Sequence, residues 1–174
     1  MLQLLREKRY DEFEEIVKHK KGIINNLTYE NHFEPTLLID AIEYCREDIH
    51  VYPEGYDHSI VEYLANHEYC DINTSDNMGI TPFHFATKSG NLPAVKCLLA
   101  RDRSVLNKTV YSRCPLHYAI AHKELAEFFL QQPDLDVNIQ NYDKQTPDQL
   151  QGIDKNIKKM IEDYREKTRQ ESKK

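Results

Sequence analysis

Cys114 and His117 are residues whose types could do covalent chemistry, because a thiol beside an imidazole pairs a nucleophile with a general base. A second histidine, His84, stands 33 positions before His117 within the same pattern, Pro-x-His-x-Ala. A catalytic residue is needed once, whereas a histidine that recurs at a fixed spacing indicates a structural role. We therefore expect no catalytic residue and no enzymatic activity.

Metal and cofactor sites find little support in the sequence. Zinc-ligand residue types occur together at Asp48, His50, Asp57 and His58, but nothing fixes their geometry. The cysteines lie far apart without a Cys-x-x-Cys pair, and we expect reduced thiols at Cys45, Cys70, Cys97 and Cys114. The five glycines occur singly, so the chain has no Gly-rich loop for phosphate. We expect neither a metal nor a cofactor.

Length and charge narrow the classes of partner. The 174 residues fit one domain, contain no run of 18 apolar residues, and begin with a segment that turns charged too early for a signal peptide. The net charge is −6, but the segment 155–174 holds eight Lys or Arg against four Asp or Glu, which leaves −10 on the remaining residues. An acidic body disfavours nucleic acid. We expect a monomer in the cytoplasm, with the nucleus as an alternative, bound to neither nucleic acid nor membrane. Its partner would be a protein with a basic or mixed apolar face.

An internal repeat organises the chain. Pro82 and Pro115, His84 and His117, and Ala86 and Ala119 are each 33 positions apart. Each copy continues into an apolar segment and closes on an asparagine after an apolar residue, at Asn73, Asn107 and Asn138. This pattern resembles the ankyrin repeat, in which a turn, Thr-Pro-Leu-His-x-Ala, two helices and a hairpin follow one another. The resemblance implies an all-α solenoid of stacked helix-turn-helix pairs with short β-hairpin tips.

The resemblance divides the chain into one ankyrin-repeat domain, 1–164, followed by a frayed charged tail, 165–174. Its units are about 1–30, 31–75, 76–108, 109–140 and 141–164, the outer two being caps. The repeat motif residues that it assigns to structure are Thr81, Pro82, His84, Pro115, His117, Thr146 and Pro147. The last unit lacks the His and Ala, and its apolar residues Ile153, Ile157, Ile161 and Tyr164 predict one amphipathic capping helix.

Elementary physics agrees with this arrangement. A Thr before a Pro suits a helix start, because the Thr caps the helix and Pro at the first position needs no N–H. The second helices carry apolar stripes, such as Val95, Leu98 and Leu99, that must stack on neighbouring units to be buried. The repeat histidine is implied to fix its turn by hydrogen bonds between neighbouring repeats.

The second unit holds an insertion, 46–58, because Ala41 and Ala86 are 45 rather than 33 positions apart. Insertions in solenoids form loops on one face, often the binding face. This one carries Tyr52, Tyr56 and four acidic residues against one Arg. Two interpretations remain open: a partner-binding loop, or a surface insertion that is merely tolerated because long loops cost little extra entropy.

Ankyrin solenoids usually bind partners with their hairpin tips and first helices. Carried over position by position, the resemblance implies partner-binding residues at Phe33, Tyr52, Tyr56, Asn77, Met78, Ile80, Lys88, Tyr111, Arg113, His122 and Tyr142. Apolar residues in a row usually mark a contact surface, although they could instead pack hairpin on hairpin. The repeat-closing asparagines occupy a position that hydroxylases modify in some ankyrin proteins, but a hairpin role is the favoured interpretation.

The favoured function is a non-catalytic module that binds a protein target along the concave ankyrin groove. Inhibitors and pathogen effectors that act in the host cytosol are two kinds of small ankyrin protein that fit this length. Two alternatives stay open: a substrate-recruiting or targeting subunit of an enzyme complex, and hydrolysis by Cys114 and His117.

Overall fold

The structure is a computed structural model that describes residues 1–25, 36–45 and 58–171. The described residues form α-helices and short 3₁₀ turns, without a regular β-strand, which confirms the all-α fold class. The chain divides into two compact units, Met1–Arg103 and Ser104–Lys174. The predicted Phe33, Tyr52 and Tyr56 contacts, and most of the 46–58 insertion, lie outside the described residues.

The described residues of the first unit form six α-helices arranged as three pairs. They are α1 (Leu2–Arg6), α2 (Tyr10–His19), α3 (Leu37–Tyr44), α4 (Ser59–Asn66), α5 (Pro82–Lys88) and α6 (Leu92–Arg101). Within the first unit, α3 packs on α5 and α4 packs on α6, so first helices stack on first helices and second helices on second helices. This stacking buries the apolar stripe of each second helix, including Ile60, Leu64, Val95 and Leu98.

Side-chain caps set where the first helices begin. Thr36 Oγ1 accepts a hydrogen bond from the Ile39 amide at 3.2 Å, and Thr81 Oγ1 accepts one from the His84 amide at 3.4 Å. Pro82 takes the first position of α5, where no N–H is required. The Thr-Pro pair therefore starts the helix as its sequence predicts.

The second unit contains α7 (Pro115–Ala119), α8 (Lys123–Phe129) and α9 (Lys155–Glu171), with a 3₁₀ turn at Pro147–Gln149. α7 packs on α8, and α9 packs on both α8 and the 3₁₀ turn. The 3₁₀ turn stands where a first helix would be expected after Thr146-Pro147. There Gln149 Oε1 accepts from the Thr146 amide at 3.0 Å, the role that His117 has at the start of α7. An amide side chain thus replaces the missing histidine.

The C-terminal helix differs from the prediction at both ends. It begins at Lys155 rather than Ile153, because Asp154 Oδ1 accepts from the amides of Asn156 and Ile157 and ends the preceding turn. It continues to Glu171, so 165–171 is helical and not the frayed tail that the charge pattern predicted. Arg165 anchors the helix at the start of this stretch, since its guanidinium binds the buried Asp148 carboxylate at 2.7 Å and Asn138 Oδ1 at 2.9 Å.

Candidate functional site

The hairpin tip that the structure describes in the first unit is built around the buried Asp76. Its Oδ1 atom accepts from the amides of Met78 at 2.9 Å and Ile80 at 2.8 Å, while its own amide donates to the Ile80 carbonyl at 3.0 Å. Gly79 adopts a positive φ of 74°, which closes the turn at little steric cost. This turn leaves Asn77 exposed and exposes 51% of Met78. Ile80, by contrast, is half-buried and so offers less surface than its tip position predicts.

The first tip of the second unit is a two-residue hairpin between Val110 and Arg113, whose backbones exchange two 2.9 Å hydrogen bonds. Its central residues, Tyr111 and Ser112, both have positive φ, 50° and 56°. Such turns match the twist of a hairpin but favour Asn and Gly. A tyrosine there carries a steric cost, and half of its side chain is exposed.

The second tip of the second unit repeats the geometry found at Asp76. Asn141 Oδ1 accepts from the amides of Asp143 at 2.9 Å and Gln145 at 3.0 Å, and the Asn141 amide donates to the Gln145 carbonyl. Lys144 has a φ of 60° in the place that Gly79 fills in the first unit. Tyr142 stands out of this turn with 72% of its side chain exposed.

The other predicted contact residues lie near the first helices. Lys88 is exposed at the end of α5. The Arg113 guanidinium lies 5.9 Å from the ring centre of Tyr118 on α7. His122 is half-buried and precedes α8 directly, so it offers less surface than predicted.

The histidines of the repeat are buried and hold turns. His84 Nδ1 lies 2.7 Å from Thr81 Oγ1. In the second unit His117 Nδ1 accepts from the Cys114 amide at 3.2 Å, so the ring proton sits on Nε2, which donates to the Gln145 carbonyl at 3.1 Å. The implied hydrogen bond between neighbouring repeats is therefore present at His117.

The Cys114 thiol and His117 do touch, with 3.0 Å between Sγ and Nδ1. Burial raises the pKa of Cys114 to about 11 and lowers the pKa of His117. Both groups are therefore neutral near pH 7, whereas a reactive thiol needs a lowered pKa and an accessible sulfur. This pair has the geometry of a helix cap.

Replacing His117 by alanine should lower the free energy of unfolding by about 1–2 kcal/mol, because the buried Cys114 amide loses its acceptor and the Gln145 carbonyl loses one of its two donors. Urea unfolding followed by circular dichroism measures this loss. His19→Ala, at an exposed histidine of α2, is the control and should change stability by less than about 0.5 kcal/mol. An unchanged stability in His117→Ala would contradict the structural role.

The asparagines that close repeats connect them to the next loop. Asn107 donates to the Asp134 carbonyl at 2.7 Å and accepts from the Asp136 amide at 2.9 Å. Asn25 makes the same pair of bonds in the first unit, with the Tyr69 carbonyl and the Asp71 amide, both at 2.8 Å. Asn73 and Asn138 instead contact Asp102 and Arg165. These contacts support the structural interpretation of the asparagines.

A further group of polar and aromatic residues on α2 and α4, Glu14, Tyr63 and His67, was not singled out from the sequence. Glu14 on α2 is 49 positions from Tyr63 on α4 and still further from His67, which directly follows α4, and no motif links the three. In the part of the chain that the structure describes, no helix is long and apolar enough to cross a membrane. The same residues include no group of three His, Cys, Asp or Glu placed to hold a metal ion.

Comparison with known proteins agrees with this geometry. The ankyrin-repeat family pattern matches residues 49–141 in three copies. The chain is 34% identical over 96 residues to alpha-latrotoxin-Lg1a of Latrodectus geometricus, which covers 53% of this chain and 7% of the toxin. It is 32% identical over 80 residues to alpha-latrotoxin-Lh1a of Latrodectus hasselti, which covers 44% of this chain and 6% of that toxin. The chain thus spans less than a tenth of the length of these relatives. Since the family pattern covers more than half of the chain, the protein belongs to the ankyrin-repeat family, whose repeats are protein–protein interaction modules.

Proposed function

We propose that the chain is a non-catalytic module that binds a protein target through its hairpin tips. One observation carries the proposal. Among the described residues four large hydrophobic side chains are exposed, and three of them stand at hairpin tips: Met78, Tyr111 and Tyr142. Exposed apolar side chains scattered singly need no explanation, but the presence of one at each of three hairpin tips does.

The chemistry of these side chains suits protein recognition. Tyrosine offers a large, rigid surface with a polar tip and loses little conformational entropy on binding, so it is a favoured anchor of interfaces. Each exposed tip side chain stands on a turn that backbone or Asx hydrogen bonds already hold in place. Binding therefore does not have to pay the entropy of ordering the turn. The strained backbone at Tyr111 is a further sign, because strain of this kind concentrates at functional sites.

Charge defines the expected target more closely. The segment before 155 carries −10, so a target with a basic or mixed apolar face would be attracted over several ångströms. An inhibitor or effector working in the cytoplasm as a monomer is the role we infer.

The likeness to the alpha-latrotoxins supports the repeat and not a toxin activity, because it covers only 7% or less of each toxin.

Photo-crosslinking tests which face meets the target. A benzoylphenylalanine residue would replace Tyr142, whose side chain is 72% exposed, and the protein would be irradiated in cell extract. The matched control carries the same group at Lys123, an exposed position at the start of α8. We expect one protein to dominate the crosslinked products from position 142. That protein should be absent from the crosslinked products of position 123. Equal crosslinking of the same proteins from both positions would contradict binding at the tips.

A further inference from the structure

An open recess of about 580 Å³ lies on the outer helices of the first unit, away from the tip residues discussed above. It is formed by α2, by α4 and by the residues directly after α4. Its main lining residues are Tyr10, Glu14, Glu62, Tyr63, His67 and Glu68. The lining combines three carboxylates with two tyrosines and a histidine and contains no Lys or Arg.

Glu14 is held in a fixed orientation within the recess. Its Oε1 atom accepts from the Tyr63 hydroxyl and lies 3.3 Å from His67 Nε2. His67 is buried and its Nδ1 accepts from the Tyr69 amide at 3.2 Å, so Nε2 carries the proton and donates to Glu14. The hydrogen bond from Tyr63 holds the pKa of Glu14 below its ordinary value, which keeps the carboxylate charged. One oxygen of Glu14 is thus committed, and the other is left for an incoming donor.

The carboxylates of the recess are only weakly compensated by cations among residues 1–25, 36–45 and 58–171: Lys18 helps to lower the pKa of Glu14 but makes its ion pair with Glu15. No Lys or Arg of these residues lies within ion-pairing distance of Glu14, Glu62 or Glu68. The recess therefore concentrates about three negative charges on a concave surface, where potentials are strongest. A cation that enters would gain this attraction and would share the Glu14 carboxylate with the N–H of His67.

Aromatic rings form the wall beside the carboxylates. The rings of Tyr10 and Tyr63 lie 4.8 Å apart at an angle of 46°, and both side chains are half-buried. Phe13 supports Tyr63 from below, with 5.8 Å between ring centres. Faces of such rings attract ammonium and guanidinium groups. Two tilted tyrosine rings beside an oriented carboxylate make a surface that suits an organic cation on an apolar stem.

We propose that this recess receives a lysine or arginine side chain of a protein partner. Such a side chain would lay its methylene stem against Tyr10 and Tyr63 and place its charged end at Glu14. A metal ion fits less well, because no three ligating groups of the described residues converge to coordination distance. The site shares no residue with the hairpin tips, and the inference does not depend on the proposed function.

A titration with small probes tests this site directly. ¹⁵N-labelled protein would be titrated with Nα-acetyl-lysine methylamide and its arginine counterpart, while backbone amide shifts are recorded. The norleucine counterpart keeps the stem and lacks the charge. We expect both cationic probes to shift amides within 10–14 and 59–68, and norleucine to leave them unchanged. Added salt should weaken the effect.

Variants separate a specific recess from a general acidic surface. Glu14→Gln keeps the size of the side chain and its acceptor oxygen, and Glu62→Gln changes an exposed residue of α4 that the fold does not need. Each should weaken the affinity for lysine methylamide roughly fivefold. The matched control, Glu124→Gln on α8, should leave it unchanged. Equal binding of norleucine, equal affinity in all three variants, or shifts spread over every acidic segment would overturn the proposal.

Discussion

Substitution of Leu98 by alanine should lower the free energy of unfolding by about 2–5 kcal/mol. Leu98 is completely buried on α6, which packs against both α4 and α5. Removing its isobutyl group deletes apolar contacts and leaves a cavity, because close-packed helices relax only partly around the gap. Chemical unfolding in urea, followed by circular dichroism at 222 nm, measures the loss.

A matched substitution on the same helix provides the control. Ala100→Lys changes an exposed position two residues later and should alter stability by less than about 0.5 kcal/mol. Comparing the two substitutions therefore separates the effect of lost burial on stability from the effect of changing any residue of this helix. A Leu98→Ala protein as stable as the wild type would show that the apolar stripe of α6 does not form the core, and the stacked arrangement would be wrong.

The fold class was predictable because the residues that begin, cap and end the elements of an ankyrin unit lie close together in the sequence. Thr81 and Pro82 start α5, Asn91 caps α6 with a 3.0 Å bond to the Ala94 amide, and Gly79 closes a turn. Each of these acts within four residues, so sequence spacing suffices to locate it. The repetition of such signals at 33 positions then identifies the units that must stack.

Other features depend on contacts between distant residues and escaped prediction. The charge pattern of 165–174 predicts fraying, but the helix reaches Glu171, and Arg165 within it contacts Asp148, 17 positions away. Glu14 meets Tyr63 across 49 positions, so the recess is invisible in either helix alone. Ile80 is placed at a tip by its position, yet folding half-buries it. Which tip residues bind a target remains a prediction.

Loss of the Tyr111 ring should weaken target binding by about 2 kcal/mol or more, roughly thirtyfold in Kd. The ring is half exposed at the tip, so it can serve as an anchor while contributing little to the core. Tyr111→Asn is the most discriminating variant. Asparagine is favoured where φ is positive in a two-residue hairpin, so the turn should be preserved when the ring is removed.

Ser112→Gly is the control at the neighbouring position, because it changes the turn and keeps the ring. Glycine accepts the φ of 56° without steric cost, and the tyrosine ring is retained. This variant should bind the target as the wild type does and should be at least as stable. Together the two variants separate the ring from the turn that carries it.

Calorimetric titration of Tyr111→Asn with the protein crosslinked through position 142 measures whether a protein target binds at the hairpin tips. Thermal unfolding of the same samples reports whether the fold is intact. Binding at the tips predicts an unchanged melting temperature and a Kd raised roughly thirtyfold. An unchanged Kd in a folded Tyr111→Asn protein would contradict it, as would a loss of binding that only follows the fraction of unfolded protein.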